Sequence, residues 1–460
     1  MPSLWLSVVR EGVAAMSKPP YRVPLMTEIA ASPDNGLRVV STFSGCGGSC
    51  LGFRMAGYRV LWANEFIPAA QETYRANHPT THLDTHDIRK VQPEAILTTI
   101  GLKPGQLDVL EGSPPCASFS TAGKREKHWG KAKPYSDTVQ RTDDLFFEYV
   151  RLVRGLQPKV FVAENVSGLV KGVAKGVFLE ILKALKGCGY RVRCKVLDAQ
   201  WLGVPQARQR TIFIGVRNDL GREPVFPKPL PYRYSLREAL PWIVKGKYGP
   251  NWKQADSPSP TVSAHGSYNP ATSHQGLELV EAVIHDTCGK FPSAGDVTDR
   301  PCPSITVEGQ GQFKVRLRGG TGSAFDQKGQ EFDLDAPCPT ILGSKPNQFE
   351  LGMERFAVGK EWDKLKPGEA SEKYFNLVRP DPEAPCPTIC ASHGHPGVAS
   401  VTHPTEKRKL SIAELKRICA FPDDFILTGT YSQQWERLGR AVPPVMSFHV
   451  ARTIRDEILT

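Results

Sequence analysis

Between residues 38 and 216, short apolar, β-branched runs alternate with stretches of helical period. The runs 38–43, 58–63, 107–110, 160–163, 190–197 and 211–216 are nearly continuous in apolar character, as strands buried on both faces must be. Between them, segments 51–56, 67–77, 144–155 and 175–186 carry apolar residues at three- and four-residue spacing, and the last runs into the stop Gly187-Cys188-Gly189. This alternation predicts an α/β domain over 38–216, a Rossmann-like doubly wound sheet that takes ligands at the carboxyl edge of its strands.

Past residue 217 the texture changes to Pro, Gly, Ser and short aromatic-bearing pieces, which predicts a smaller, mainly irregular and β domain over 217–405. It carries four copies of one pattern: Ser257-Pro258-Ser259-Pro260-Thr261-Val262, Pro301-Cys302-Pro303-Ser304-Ile305, Pro337-Cys338-Pro339-Thr340-Ile341 and Pro385-Cys386-Pro387-Thr388-Ile389. Two of them share a downstream Gln-Phe pair, Gln312-Phe313 and Gln348-Phe349, so a strand-and-turn unit reads as duplicated, too few times and too unevenly for a solenoid. Helical pattern resumes over 407–418 and 444–458, and the segment 406–460 is expected to return to the first domain.

Composition narrows the class. The 58 Lys and Arg exceed 47 Asp and Glu for a net charge of +11, which suits a polyanionic partner without requiring one. The 11 cysteines are scattered without close pairs, a usage suited to a reducing cytoplasm. No apolar run nears the roughly 18 residues that span a bilayer. The leader 1–37 opens with a short apolar stretch broken by Arg10 and Glu11, which is not a signal peptide, and no function is assigned to it.

The turn after the first strand, Phe43-Ser44-Gly45-Cys46-Gly47-Gly48, lets backbone approach a ligand closely, and the second strand ends at Asn64-Glu65, where an acid meets ribose hydroxyls. Together they favour a nucleoside cofactor. Pro114-Pro115-Cys116 follows the next strand on a stiffened polar loop, a setting for a nucleophilic thiol rather than a packed one. Glu164-Asn165 ends the 160–163 run in the same topological position, either as strand-end solvation or as a tuned acid. Cys386, Cys390, His393 and His395 superficially suggest zinc, yet Cys386 sits at a repeat position shared with Cys302 and Cys338, so no metal is expected.

In this order the residues resemble the motifs of the DNA cytosine-5 methyltransferase family, class I S-adenosylmethionine-dependent enzymes, over nearly all of 38–452. The resemblance makes Cys116 the nucleophile, Glu164 of Glu164-Asn165-Val166 its proton-handling partner, and Arg208 and Arg210 of Gln206-Ala207-Arg208-Gln209-Arg210 the groups that orient the base. It places S-adenosylmethionine against Phe43, Ser44, Gly45, Cys46, Gly47, Gly48, Glu65, Asp87, Ile88, Pro115, Leu145, Arg440 and Ala441. Arg408, Leu410 and Glu414 resemble the motif that closes the recognition region, which makes 217–405 the target recognition domain. Lys314, Arg316 and Arg318 there are candidate contacts or solvated charges.

The implied partner is double-stranded DNA, bound by a cytoplasmic monomer that flips its target cytosine out of the stack. One position departs from the pattern: Arg440 replaces a usual asparagine in Gly439-Arg440-Ala441-Val442-Pro443-Pro444. Arg440 either pairs with an acid or binds a carboxylate on the donor, in which case the cofactor is carboxy-S-adenosylmethionine and the product 5-carboxymethylcytosine. An RNA-directed relative and a silent DNA-binding regulator are the rival functions. The long insert speaks against the first and the presence of Cys116 and Glu164 against the second.

Overall fold

The computed structural model describes residues 18–115, 133–136, 138–140, 142, 144–170, 175–243, 278–283, 314–318 and 351–460. The chain forms two compact units, one of Met1–Lys245 with Leu351–Thr460 and one of Gly246–Glu350. The ends of the region read as recognition domain, 217–243 and 351–405, therefore pack within the first unit.

The first unit is built on seven strands: β1 Arg38–Thr42, β2 Arg59–Asn64, β3 His82–Asp84, β4 Val109–Gly112, β5 Val160–Val166, β6 Tyr190–Asp198 and β7 Gln209–Arg217. They lie in the order β3-β2-β1-β4-β5-β7-β6, all parallel except β7, which is antiparallel to both its neighbours. The expected class and strands are present, with ends shifted by one to three residues. From β1 the chain winds outward to β3, then returns to place β4 on the other side of β1. The switch point, where ligands bind in open α/β sheets, thus lies beyond Thr42 and Gly112.

Strand residues alternate between two apolar layers, which is why the runs read as continuously apolar. Val39, Val109, Val160 and Val162 face one layer with helices α1 (Gly48–Met55) and α8 (Pro444–Ile454). Val40, Leu110, Phe161 and Ala163 face the other, with α3 (Pro93–Ile100), α4 (Leu145–Leu156) and α5 (Lys175–Lys186). A Cβ at Gly52 would stand 2.4 Å from the Ser447 Cβ and 2.5 Å from the Pro444 carbonyl, so only glycine lets α1 lie this close to α8. Further helices include α2 (Pro68–Asn77), α6 (Ile412–Ile418) and α7 (Tyr431–Arg440). α6 and α7 begin at capping boxes, Ser411 with Glu414 and Thr430 with Gln433. Residues Val445, Met446, Phe448, Val450, Ala451 and Ile454 of α8 are buried in the layer that holds Val39 and Val109.

The fourth repeat has a structural role. Cys386–Pro387 pairs in parallel with Gln206–Ala207, and the Thr388 hydroxyl donates to the Ala207 carbonyl at 2.5 Å. The other three copies lie outside the described residues. Within the second unit, Glu278–Val283 pairs antiparallel with Lys314–Arg318, which puts Lys314, Arg316 and Arg318 on a strand.

Candidate active site

Cys116 lies outside the described residues, which reach Pro115. The peptide leading to it is tied to the sheet on both sides. The Ser113 amide donates to the Thr42 carbonyl at 3.3 Å, and the Asn165 Nδ2 donates to the Pro114 carbonyl at 3.0 Å. Ser113 and Pro114 therefore leave the sheet between Thr42 of β1 and Asn165 of β5.

Glu164 stands on β5 opposite Ile212 of β7. Its Oε1 meets the Arg210 Nε at 2.8 Å, and each side chain is 13% exposed. Acceptor and donor thus sit side by side, buried enough for strong electrostatics and open enough for a substrate edge. Arg208 goes elsewhere. It is 1% exposed, and its guanidinium donates to the carbonyls of Ile389 (3.2 Å), Gly439 (2.8 Å) and Ala441 (2.9 Å). Burial, reinforced by Arg210, lowers its ordinarily very high pKa to about 9.

The predicted cofactor residues converge on the switch point. Phe43, Gly45 and Gly47 have left-handed backbone, with φ of 54°, 57° and 88°, and Gly47 caps the start of α1. Glu65 is buried, accepting from the Gly45 amide and the Ile67 amide at 2.7 Å each, and burial raises its pKa. A carboxylate offers about four lone-pair sites, so capacity remains for hydroxyl donors. Asp87 accepts from the Arg89 amide at 3.0 Å, and Arg89 bridges Asp87 to Asp144 at 2.6 Å. This bridge brings Asp87 and Ile88 to the start of α4, where Ile88 and Leu145 are buried in the same layer. A Cβ on Gly48 would stand 2.5 Å from the Val442 carbonyl, so the turn after β1 and the segment 439–444 touch. Cys46 is buried against α7, its thiol pushed up to about 12 by desolvation and its Sγ 3.8 Å from the Arg437 carbonyl. Arg440, 36% exposed, donates from Nε to Glu436 Oε1 at 2.7 Å, one helical turn back.

Three further residues belong to this edge. Phe66, next to Glu65, is 37% exposed, and an apolar residue directly after a strand-end acid was its signal. Buried Arg437 donates to the Ser136 hydroxyl at 2.6 Å, joining α7 to a described piece of the loop that follows Cys116. Glu111 is a buried carboxyl on β4, its signal a lone acid inside Val109-Leu110-Glu111-Gly112. Cys386 is fully buried, and the Cys390 Sγ lies 3.9 Å from the Thr388 carbonyl.

A family model of C-5 cytosine-specific DNA methylases matches residues 37–456. The Type II methyltransferase M.NgoPII of Neisseria gonorrhoeae is 39% identical over 429 residues, covering 92% of this chain and 97% of its own. The Type II methyltransferase M.DdeI of Desulfomicrobium norvegicum is 28% identical over 434 residues, covering 91% and 88%. Among solved structures, a DNA modification methyltransferase encoded within an E. coli prophage aligns with a TM-score of 0.57 at 20% identity, over 92% of this chain and 100% of that one, a likeness of fold. The winding of the sheet, the acid and arginine beside the Pro-Cys loop and the match over almost the whole length lead to one conclusion: the chain is an enzyme belonging to the C-5 cytosine-specific DNA methylases.

Proposed function

We propose that the protein methylates C5 of a cytosine flipped out of double-stranded DNA, through a transient bond between the Cys116 sulfur and C6. The observation that carries this reading is the Glu164–Arg210 pair at 2.8 Å beside the loop held by Asn165. Cytosine C5 is a weak nucleophile, and adding a thiolate at C6 turns the ring into an enamine whose electrons reach C5. Glu164 donates to N3 as negative charge develops there, and Arg210 binds O2 and fixes the ring in its plane. After C5 has been alkylated, its proton departs to a base, the C6–S bond breaks, and N3 returns its proton to Glu164. Arg208 serves by holding 389, 439 and 441 in place behind Arg210.

The switch-point residues fit S-adenosylmethionine: left-handed backbone at Gly45 and Gly47 admits close approach, Glu65 accepts hydroxyls, and the exposed Phe66 offers a stacking face. When bound, this cofactor supplies the electrophilic methyl group. We adopt the methyl donor over a carboxylated one because Arg440 has Glu436 as a partner at 2.7 Å. The region 217–405 reads the target sequence, the enzyme acts as a cytoplasmic monomer, and its role is protection in a restriction-modification pair. The test is to incubate purified protein with S-adenosylmethionine and either duplex DNA or RNA, then weigh the nucleosides by mass spectrometry. 5-Methylcytosine should arise in DNA with the parent and with Arg440→Asn, and not with Cys116→Ser. Undiminished product from Cys116→Ser overturns the mechanism, and product confined to RNA overturns the substrate.

A further inference from the structure

Glu164 poses a problem of supply. Its Oε1 lies 2.8 Å from the Arg210 Nε, and in the mechanism proposed above it must hand a proton to N3 and take it back in every turnover. A second carboxyl group lies inside the molecule nearby. Glu111 is 3% exposed, and it shares with Glu164 a cavity of about 20 Å³ that is also lined by Ser49, Ser447, Ile212 and Met446. That volume is about one water, and Glu111, Glu164, Ser49 and Ser447 are the residues with polar side chains among its lining.

We propose that Glu111 is a positioning residue that stores the proton Glu164 delivers to the base, passing it through a water held in this cavity. The inference rests on the role of Glu164 proposed above. In the forward direction an O–H bond breaks at Glu111, the water accepts that proton while releasing another, and an O–H bond forms at Glu164. The Glu111 carboxylate left behind is held by hydrogen bonds from Ser41, Ser49 and Cys50. When N3 loses its proton at elimination the path runs backward, so the store is refilled in each turnover and nothing is consumed.

The surroundings suit such a store. The hydroxyl of Ser41 on β1 donates to Glu111 and lies 2.7 Å from the Ser44 hydroxyl in the cofactor turn. On α1, Cys50 stands 3.5 Å away, with the Tyr74 hydroxyl of α2 behind it at 3.3 Å from the sulfur. From α4 the Tyr149 hydroxyl, which donates to Leu110 and Val162 carbonyls, acts only at longer range, and β7 and α8 present Ile212, Met446, Ser447 and Val450. Among the described residues, no lysine or arginine lines the cavity. Burial without a cation, with a smaller push from Glu164, raises the Glu111 carboxyl to about 7, so the group is loaded at and below neutrality.

The experiment is the pH profile of single-turnover methyl transfer on preassembled enzyme, duplex DNA and S-adenosylmethionine, for the parent and Glu111→Gln. The amide keeps acceptors for Ser41 and Cys50 but stores no proton. The parent should slow as pH rises through about 7, while Glu111→Gln should be on the order of tenfold slower below neutrality and converge with the parent above it. Parent-like rates and profile in Glu111→Gln overturn the proposal, as does a deficit that is equal at every pH. Should the variant fail to fold, infrared difference spectra of the parent decide: one buried protonated carboxyl should be lost when the covalent complex forms, and its retention overturns the proposal. A parent that makes no 5-methylcytosine indicts the proposed function, not this store.

Discussion

Replacing Glu111 by glutamine should make the protein more stable in mildly alkaline buffer and leave it nearly unchanged in acid. The carboxyl has an ordinary value of 4.5 and is raised to about 7 by burial. A group raised in the folded state contributes stability that is whole below its unfolded value and is lost as pH climbs through the folded one. The window is therefore about 4.5 to 7, and the loss across it is about 3 kcal/mol. With only 3% of the residue exposed, solvent screening takes little from that figure. Glutamine preserves shape and acceptors and carries no titration. The assay is urea unfolding of parent and variant at pH 5 and pH 8, each compared at its own pH so that other titrating groups cancel. The variant-minus-parent difference should grow by about 3 kcal/mol between the two conditions. A difference independent of pH would refute the reasoning, since it would mean that Glu111 is ionised throughout or neutral throughout.

Two further outcomes follow from buried cations and imidazoles. Arg208→Met should cost about 3 kcal/mol of stability by orphaning the carbonyls of Ile389, Gly439 and Ala441. It should raise the KM for the methyl donor more than it lowers kcat, whereas Arg210→Met should do the reverse, and steady-state kinetics with melting curves check both. Burial holds His78 and His403 far below their ordinary 6.5, at about 3 and about 4. Their contribution is present above 6.5 and lost as pH falls toward these values, about 3 kcal/mol for His403 alone, so His403→Asn should flatten the acid limb of a stability-versus-pH curve. An unaltered limb would show that His403 does not carry it.

What the sequence by itself determined is whatever neighbours along the chain dictate. Apolar runs such as 160–163 made strands, glycines at 45 and 47 made a turn with left-handed backbone, and Pro115-Cys116, Glu65 and Glu164 could be read as edge chemistry because they follow those runs. Short elements escaped: β3 is a three-residue edge strand without a buried face, and α3 has only eight residues in which to show a period. Tertiary structure alone decided where charges go. Arg208 and Arg210, two residues apart, would share a face of an unbroken strand, yet the ladder breaks at Arg208 between Gln206–Ala207 and β7, sending one guanidinium into the interior and the other to Glu164. Likewise the lone acid in Val109-Leu110-Glu111-Gly112 marks Glu111 but not its partners, because Ser41 and Cys50, which satisfy it, lie 70 and 61 residues away in sequence. Periodicity is a property of adjacent residues, whereas the environment of a buried charge is set by groups that only the fold brings together.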